Sequence, residues 1–138
     1  MTYLLDTDIC IYLINRRAPH WQRIADRIIA LTEERVLLSA LTVAELRYGI
    51  AKSERPIKNQ AALDAFLADF DVIAFNANAA MVYGKLRAAL EKKERPIGPV
   101  DTLIAAHAVE QDATLITHNT TELSRVPGLR LQDWTQPV

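Results

Sequence analysis

The chain has little of what disulfide-bonded or membrane-spanning proteins require. Only one of its 138 residues, Cys10, is a cysteine, which excludes an internal disulfide and a zinc site built from cysteines. No apolar run approaches the ~20 residues that a membrane-spanning helix needs. The N-terminus reaches an acid at Asp6 without a basic segment, unlike a signal peptide. These absences predict a cytoplasmic protein with no membrane association.

An excess of positive charge is also absent. Sixteen Lys and Arg residues face seventeen Asp and Glu residues, which gives a formal net charge of −1. Binding of duplex nucleic acid through bulk charge is therefore disfavoured. A local basic rim around an acidic centre is still compatible with this total, because net charge does not describe how charges are distributed.

What the chain does contain is an alternation of short apolar runs with longer amphipathic stretches. The predicted strands are 3–5, 36–38, 72–75 and 114–117, with a weak fifth at 129–134. The predicted helices are 8–14, 20–31, 43–51, 56–69, 77–92 and 100–111. This length and pattern predict one α/β domain, residues 1–138, with a parallel sheet and helices on both faces.

Polar side chains lie where the predicted strands end. Asp6 and Asp8 follow the first strand, Glu45 the second and Asn119 the fourth, while Asp101 opens the helix before the fourth. In open α/β sheets such positions meet outside the carboxyl ends of the strands. Clustered carboxylates repel one another unless a cation neutralises them, and hard oxygen ligands suit Mg²⁺ or Mn²⁺. The pattern therefore predicts metal-assisted attack of water on a phosphodiester.

Each candidate also has a purely structural interpretation. Asp6 can cap a helix, and Thr42 to Glu45 reads as a capping box. Asp101 is favoured near a helix N-terminus, and Asn119 suits a turn. For each residue considered alone, the structural role is the favoured interpretation. Only the predicted convergence of these residues favours a functional site. His107, within an apolar helix, is predicted to be a packed core or surface histidine and not a base.

Four segments together resemble PIN-domain toxins of the VapC type. They are YLLDTDICIYL (3–13), LSALTVAELRYG (38–49), IGPVDTLIAA (97–106) and THNTTEL (117–123), the last followed by VPGLRLQDW (126–134). The segments occur in the family's order and cover essentially the whole chain. Each motif alone is weak, and the four together are specific.

The resemblance implies a magnesium-dependent endoribonuclease, inhibited by a cognate VapB-type antitoxin, that forms a homodimer and contains a five-stranded parallel sheet. Asp6, Glu45 and Asp101 match the family's acidic positions, which implies that they hold the metal, Mg²⁺ or Mn²⁺ in its place. Asn119 stands where many relatives have a catalytic aspartate, and Glu122 matches a further acidic position. Asp8 matches a position that orients ligands or water.

Two surfaces for partners follow from the apolar pattern. The helix carrying Leu46 and Ile50, beside the segment Ile9–Leu13, is predicted to form one wall of a groove for an antitoxin segment. Apolar positions between 57 and 90 are predicted to exceed what one small sheet can bury, and therefore to form a dimer interface. The positions named for that interface are Leu63, Phe66, Leu67, Met81, Val82 and Leu86.

Three other functions remain open from the residues alone. Asp6 and Asp8 also resemble the nucleophile motif of haloacid-dehalogenase phosphatases, although the later lysine and acidic pair of that fold are missing. A receiver-like binding module would need a lysine ending a late strand, where this chain has Thr117. A PIN-like protein that binds without catalysis is the third alternative.

Overall fold

Five short strands and seven helices alternate along residues 1–137, the part of the chain that the computed structural model describes. They follow the order β1 (Thr2–Leu5), α1 (Thr7–Asn15), α2 (His20–Ala30), β2 (Arg35–Ser39), α3 (Ala40–Ala51), α4 (Pro56–Leu67), β3 (Asp71–Ile73), α5 (Ala77–Lys92), α6 (Pro99–Glu110), β4 (Thr114–Ile116), α7 (Thr120–Leu123) and β5 (Leu131–Gln132). None of these helices combines the length and the apolar character needed to cross a membrane.

All strand pairs are parallel, in the order β3-β2-β1-β4-β5. Tyr3 of β1 lies opposite Val36 of β2 on one side and Thr114 of β4 on the other. The chain thus starts in the middle, builds outward on one side, and then crosses to the other. The topological switch lies between β1 and β4, where open α/β sheets place their ligands. The predicted α/β fold with a five-stranded parallel sheet is confirmed.

The two faces of the sheet have separate apolar cores, because successive residues of a strand point to opposite sides. Leu4 joins the core under α5 and α6, whereas Leu5 joins the core under α1 to α4. Trp134 closes the second core against Tyr3, with ring centroids 5.1 Å apart. Both sides of the sheet are covered by helices, as predicted.

The predicted capping box at Thr42 to Glu45 is wrong. Helix α3 begins at Ala40, and Ser39 is its N-cap, with a side-chain oxygen that accepts from the Leu41 amide at 3.1 Å. Ser39 ends β2 and provides the capping oxygen before the chain reaches Thr42. Thr42 is fully buried inside the helix, and Glu45 is consequently released from a capping role.

His107 lies in the core, one of the two placements predicted for it. It is fully buried on α6, and its Nδ1 lies 2.7 Å from the hydroxyl oxygen of Ser39. Burial lowers the pKa of the imidazole, which favours its neutral form. The contact joins α6 to Ser39, the N-cap of α3. Helix α6 carries Asp101, and helix α3 carries Glu45.

The apolar positions predicted to form a dimer interface are mostly part of the core. Leu63 and Leu86 are buried, and three others pack against the two cores: Phe66, Leu67 and Val82. Of the six named positions only Met81 is extensively exposed, at 63%, while Ile57 at the start of the same region is 88% exposed. Leu63 and Leu86 are not available to a partner, because the helices bury them against the two faces of the sheet. The homodimer itself stays a prediction.

Candidate active site

Asp6 is the most constrained acidic side chain at the carboxyl edge of the sheet. It follows β1 directly and caps α1, where one carboxylate oxygen accepts from the Thr7 amide at 2.8 Å. The other oxygen accepts from the hydroxyl of Thr117, beyond β4, also at 2.8 Å. Asp6 is only 5% exposed. Burial, reinforced by the nearby charge of Asp8, raises its pKa from 3.8 to about 7.

Asp8 ties the first turn of α1 to the end of β4. Its carboxylate accepts from the Ile9 amide at 2.7 Å and from the His118 amide at 3.0 Å. Burial nevertheless raises its pKa above the ordinary value. A carboxylate held by two backbone amides positions its neighbours and is poorly placed to act as the free acid that a phosphatase mechanism needs.

Glu45 lies on the second turn of α3 and reaches the start of α1. Its Oε1 accepts from the hydroxyl of Thr7 at 2.5 Å. Thr7 also donates its amide to Asp6. One threonine thus contacts two carboxylates from different elements and holds Glu45 on the same side of the sheet as Asp6.

Asp101 occupies the first turn of α6, three residues after its N-cap Gly98. Burial raises the pKa of Asp101, and the charges of Glu122 and then Glu45 raise it further. The charge of Asp101 in turn contributes to the raised pKa of Asp6. Asp101 thus lies close enough to Asp6 and Glu45 for the charges of these carboxylates to influence one another. We call these three residues together with Asp8 the acidic edge.

Asn119 and Glu122 form a separate network beside the acidic edge. The Asn119 amide nitrogen of the side chain donates to Glu122 at 3.3 Å, and its backbone amide donates to Thr117 at 3.0 Å. The other Glu122 oxygen accepts from the Gly98 amide at 2.9 Å. These bonds, Gly98 first, lower the pKa of Glu122. Asn119 thus orients Glu122. It is also linked to Asp6 through Thr117, whose hydroxyl accepts from the Asn119 backbone amide and donates to Asp6.

The acidic edge has the donor chemistry of a hard-cation site. Its ligands are all oxygens, which suits Mg²⁺ or Mn²⁺. Within residues 1–137 none of its carboxylates forms an ion pair with a basic side chain. The same residues contain no group of three acidic, histidine or cysteine side chains already gathered around one point. A cation would thus have to draw the carboxylates closer together against a repulsion that it neutralises itself.

Several residues that shape this site are not among those predicted from the sequence. Thr7 and Thr117 were not predicted to contact Asp6, although the hydroxyl of Thr7 is next to Asp6 in the sequence. Asp133 was not considered, yet its Oδ2 lies 2.9 Å from Nδ1 of His118, which is next to Thr117. The signal for that pair is weak, because the two residues are fifteen positions apart with no recognisable spacing.

A groove of about 430 Å³ runs beside the acidic edge between α1, α3 and α4. Its walls include Ile11 and Ile14 of α1, Leu46 and Ile50 of α3, and Leu63 of α4. The groove predicted between α1 and α3 is confirmed, and α4 supplies a side that was not foreseen. Its lining also includes Glu45, so the groove and the acidic edge share a residue.

The parallel sheet and the acidic side chains at its carboxyl edge define the class of α/β domain, and comparison with known proteins identifies its family. The family model described as PIN domain matches residues 3–129. The chain belongs to the PIN-domain family and, within it, to the VapC group.

Relatives of this group align over nearly the full chain. Ribonuclease VapC2 of Rickettsia felis is 40% identical over 134 residues, which are 97% of this chain and 98% of the relative. The tRNA(fMet)-specific endonuclease VapC of Shigella flexneri is 38% identical, over 98% of this chain and 99% of its own. The solved VapBC2 complex from Rickettsia felis, bound to a DNA fragment from its promoter, matches with a TM-score of 0.89 and 39% identity, over 97% and 99% of the two chains.

Proposed function

We propose that the protein is the toxin of a type II toxin–antitoxin pair and an endoribonuclease that hydrolyses RNA with water at the acidic edge. The observation that carries this proposal is the environment of Asp6. Its carboxyl is buried beside other acids, its pKa is raised to about 7, and no basic side chain of residues 1–137 pairs with it. Such an arrangement lacks positive charge, which a divalent cation and its phosphodiester substrate would bring. The named activities of the relatives point the same way.

Asp6, Asp101 and Glu45 are the residues that would hold the metal, Mg²⁺ or Mn²⁺ in its place. When bound, the cation would neutralise charge at the scissile phosphate and make water more acidic. Hydrogen bonds from Thr7 and Thr117 fix the orientation of the Asp6 carboxylate before a cation binds.

The remaining residues position the reacting groups. Glu45, turned by Thr7, would orient the attacking water. Asn119 has an amide, which cannot act as a base, and its contribution to catalysis would come through a hydrogen bond. Asp8 would keep the start of α1 against the end of β4.

An antitoxin segment would inhibit by occupying the groove and the acidic edge together. The apolar lining of Ile11, Ile14 and Ile50 suits an apolar segment. The neighbouring carboxylates suit an arginine or lysine from the same partner. Solved relatives are VapBC complexes, which supports a VapB-type partner. An antitoxin fragment should therefore compete with Mg²⁺, and high salt should weaken its inhibition.

The substrate we propose is a structured cytoplasmic RNA, and transfer RNA is the first candidate. Relatives from Shigella flexneri and Salmonella typhimurium are named tRNA(fMet)-specific endonucleases. The test is incubation of the purified, antitoxin-free protein with transfer RNA and, separately, with a phosphate ester. Each is run with Mg²⁺, with Mn²⁺ and with EDTA, and Asp6→Asn serves as the control.

Each outcome of this test selects one function. Cleavage of RNA that EDTA and Asp6→Asn both abolish supports the proposal. Release of phosphate from the ester without RNA cleavage would support the phosphatase alternative. Neither activity would leave the non-catalytic PIN-like protein as the better explanation. RNA cleavage that persists in EDTA would contradict the metal assignment alone.

We also propose a homodimer, as the resemblance implies. Met81 on α5, 63% exposed, is the apolar residue of the predicted interface that the structure leaves at the surface. Sedimentation of the free protein should give a dimer at micromolar concentration, and Met81→Asp should shift it toward the monomer. A wild-type protein that sediments as a 15.5 kDa monomer and cleaves RNA would contradict the proposal.

A further inference from the structure

Three rings meet directly beside the acidic edge, and the mechanism above uses none of them. The ring of His20 lies 4.8 Å from that of Tyr12 and 5.5 Å from that of His118, measured between centroids. Tyr12 and His118 are 6.0 Å apart and nearly perpendicular. We call Tyr12, His20 and His118 the ring cluster. It joins helices α1 and α2 to the residue that follows Thr117.

The ring cluster is fixed to the acidic edge by a backbone bond. The amide of His118 donates to Asp8 at 3.0 Å, and the preceding Thr117 donates to Asp6. The exposed member of the cluster is thus one residue away from the side chain that holds Asp6. A nucleotide next to a phosphate bound at Asp6 would reach this ring.

His118 is held rigidly although it is exposed. Its Nδ1 lies 2.9 Å from Asp133 Oδ2 and 3.0 Å from the Thr135 hydroxyl. The Thr135 hydroxyl donates to the other Asp133 oxygen at 2.6 Å, so Nδ1 carries the hydrogen and donates to Asp133. The His118 side chain is nevertheless 42% exposed. An aromatic ring that is partly exposed and fixed by hydrogen bonds needs little ordering when a flat ligand stacks on it.

Positive charge accompanies the ring cluster. Arg16 and Arg17 follow α1, are exposed, and form no ion pair within residues 1–137. The Arg17 amide donates to the Tyr12 carbonyl at 3.1 Å, and the Arg17 carbonyl accepts from the Trp21 amide at 2.9 Å. Backbone hydrogen bonds therefore hold this segment against the cluster, and the Arg16 guanidinium lies over the neighbouring Trp21 ring, 5.5 Å from its centroid.

From these contacts we infer that the ring cluster is a nucleobase-stacking subsite, in which an unpaired base of the RNA next to the cleaved phosphate stacks on His118. The inference rests on the proposed function and adds to it where the substrate is gripped. Unpaired bases stack on aromatic and histidine rings with little dependence on sequence. Stacking here would require a single-stranded segment at the cleavage position, and Arg16 and Arg17 would lie near its backbone.

The experiment uses 2-aminopurine, whose fluorescence falls when it stacks on a ring. The probe is a set of single-stranded 2′-O-methyl oligoribonucleotides of about ten residues, a length that spans a typical single-strand site, with 2-aminopurine moved along the chain. We expect the wild-type protein with Mg²⁺ to quench one or two adjacent positions. His118→Ala should abolish the quenching and weaken binding about tenfold, as expected for one lost stacking contact.

Two further variants separate stacking from a merely structural role. His118→Phe keeps a flat ring but loses the bond to Asp133, and it should restore the quenching. Tyr48→Ala removes another exposed aromatic side chain, outside the cluster, and should leave quenching and binding unchanged. The inference is overturned if the wild type quenches no position, if His118→Ala quenches normally, if His118→Phe fails like His118→Ala, or if Tyr48→Ala has the same effect.

Cleavage of transfer RNA by the same preparations distinguishes this inference from the proposed function. Cleavage with no His118-dependent quenching would overturn the subsite and leave the nuclease intact. Quenching that depends on His118 in a protein that never cleaves RNA would support the subsite and contradict the nuclease. Absence of both would overturn both.

Discussion

Acidic side chains near the end of the sheet fall into two groups that differ in what surrounds their oxygens. Asp6 and Asp101 are removed from water and lie near other acids, and their pKa values are raised. Glu122 and Asp133 lie beside them, and their pKa values are lowered. Glu122 accepts from Gly98 and Asn119. Burial acts to raise the pKa of Asp133, but the hydrogen bonds from Thr135 and His118 outweigh this effect and lower the pKa.

Under the proposed function, this difference separates the metal ligands from the carboxylates that support the fold. Hydrogen-bond donors already stabilise the charged form of the second group, so those carboxylates have no need of a cation. The first group keeps an unfavourable charge in the folded protein, which is tolerated where function requires it. The proposed function thus assigns fold stability and chemistry to different acids at the same edge of the sheet.

The sharpest way to break this comparison is to measure cleavage. Asp6→Asn or Asp101→Asn should lower RNA cleavage on the order of a hundredfold to a thousandfold, because each removes a charged oxygen from the proposed metal site. Asp133→Asn should stay within about tenfold of the wild type. Asp64→Asn, at an exposed pair with Arg47, is the matched control and should have no effect. A folded Asp6→Asn protein with wild-type cleavage would place the metal elsewhere.

Stability should respond in opposite directions in the two groups. The Asp6 carboxyl ionises near pH 3.8 when unfolded and near 7 when folded, so the free energy of unfolding falls as pH rises between these values. Asp6→Asn removes this penalty. After the loss of about 1 kcal/mol for the bond from Thr117, it should stabilise the metal-free protein by about 2–3 kcal/mol at pH 8 and by less than about 1 kcal/mol at pH 5.

Asp133→Asn should have the opposite effect. The pKa of Asp133 is lowered in the folded protein, so its contribution is complete above the unfolded value and is lost as pH falls through the folded one. The variant should be destabilised by about 1 kcal/mol at pH 8, with little difference in strong acid. Chemical denaturation of both variants at several pH values measures this contrast, and parallel profiles would contradict it.

Glu45→Gln tests the carboxylate that accepts a hydrogen bond from the Thr7 hydroxyl. The amide oxygen can still accept from Thr7, so the melting temperature should change by no more than about 2 °C. Loss of the charge should lower cleavage about tenfold or more. Thr7→Val is the complementary variant, since it keeps the charge and removes the hydrogen bond. If Glu45→Gln leaves both cleavage and melting unchanged, Glu45 neither binds the metal nor orients water.

The smallest effect is expected at Gly98, which stands between the two groups. Its amide donates to Glu122, and a methyl group on it would lie 3.3 Å from an oxygen of Asp101. Gly98→Ala should therefore displace the Asp101 carboxylate by a few tenths of an ångström and lower cleavage about twofold to threefold, with almost no change in melting temperature. Pro99→Ala, one residue later at the start of the same helix, is the neighbouring variant with which Gly98→Ala is compared. A loss as large as that of Asp101→Asn would contradict this reading of Gly98.

The sequence predicted the sheet because its apolar runs are short and separated by helical periodicity. It placed Asp6, Asp101 and Asn119 at strand ends or helix starts, and the structure has them there. Glu45 lies further into its helix than the predicted capping box implied. The sequence pattern misassigned the cap of α3, because Ser39 belongs to both strand and cap and Thr42 copies a capping motif one turn later.

Contacts between distant residues were beyond prediction. Nothing in the local pattern of His118 or Asp133 indicates their bond, and the groove wall from α4 depends on how that helix packs. The four-residue α7 is too short to produce a periodic signal. Apolar positions on α4 and α5 looked excessive only because the sequence does not show how completely two layers of helices cover the sheet.

Glu45 belongs to both the acidic edge and the adjoining groove. If an antitoxin occupies that groove, it touches a residue that the toxin needs for catalysis. A substitution of Glu45 that weakens antitoxin binding would also lower the proposed nuclease activity. Substitutions at Glu45 that prevent antitoxin binding should therefore be rare in evolution. Substitutions that change which antitoxin binds should accumulate on the opposite wall of the groove, around Lys58 and Ala62 of α4.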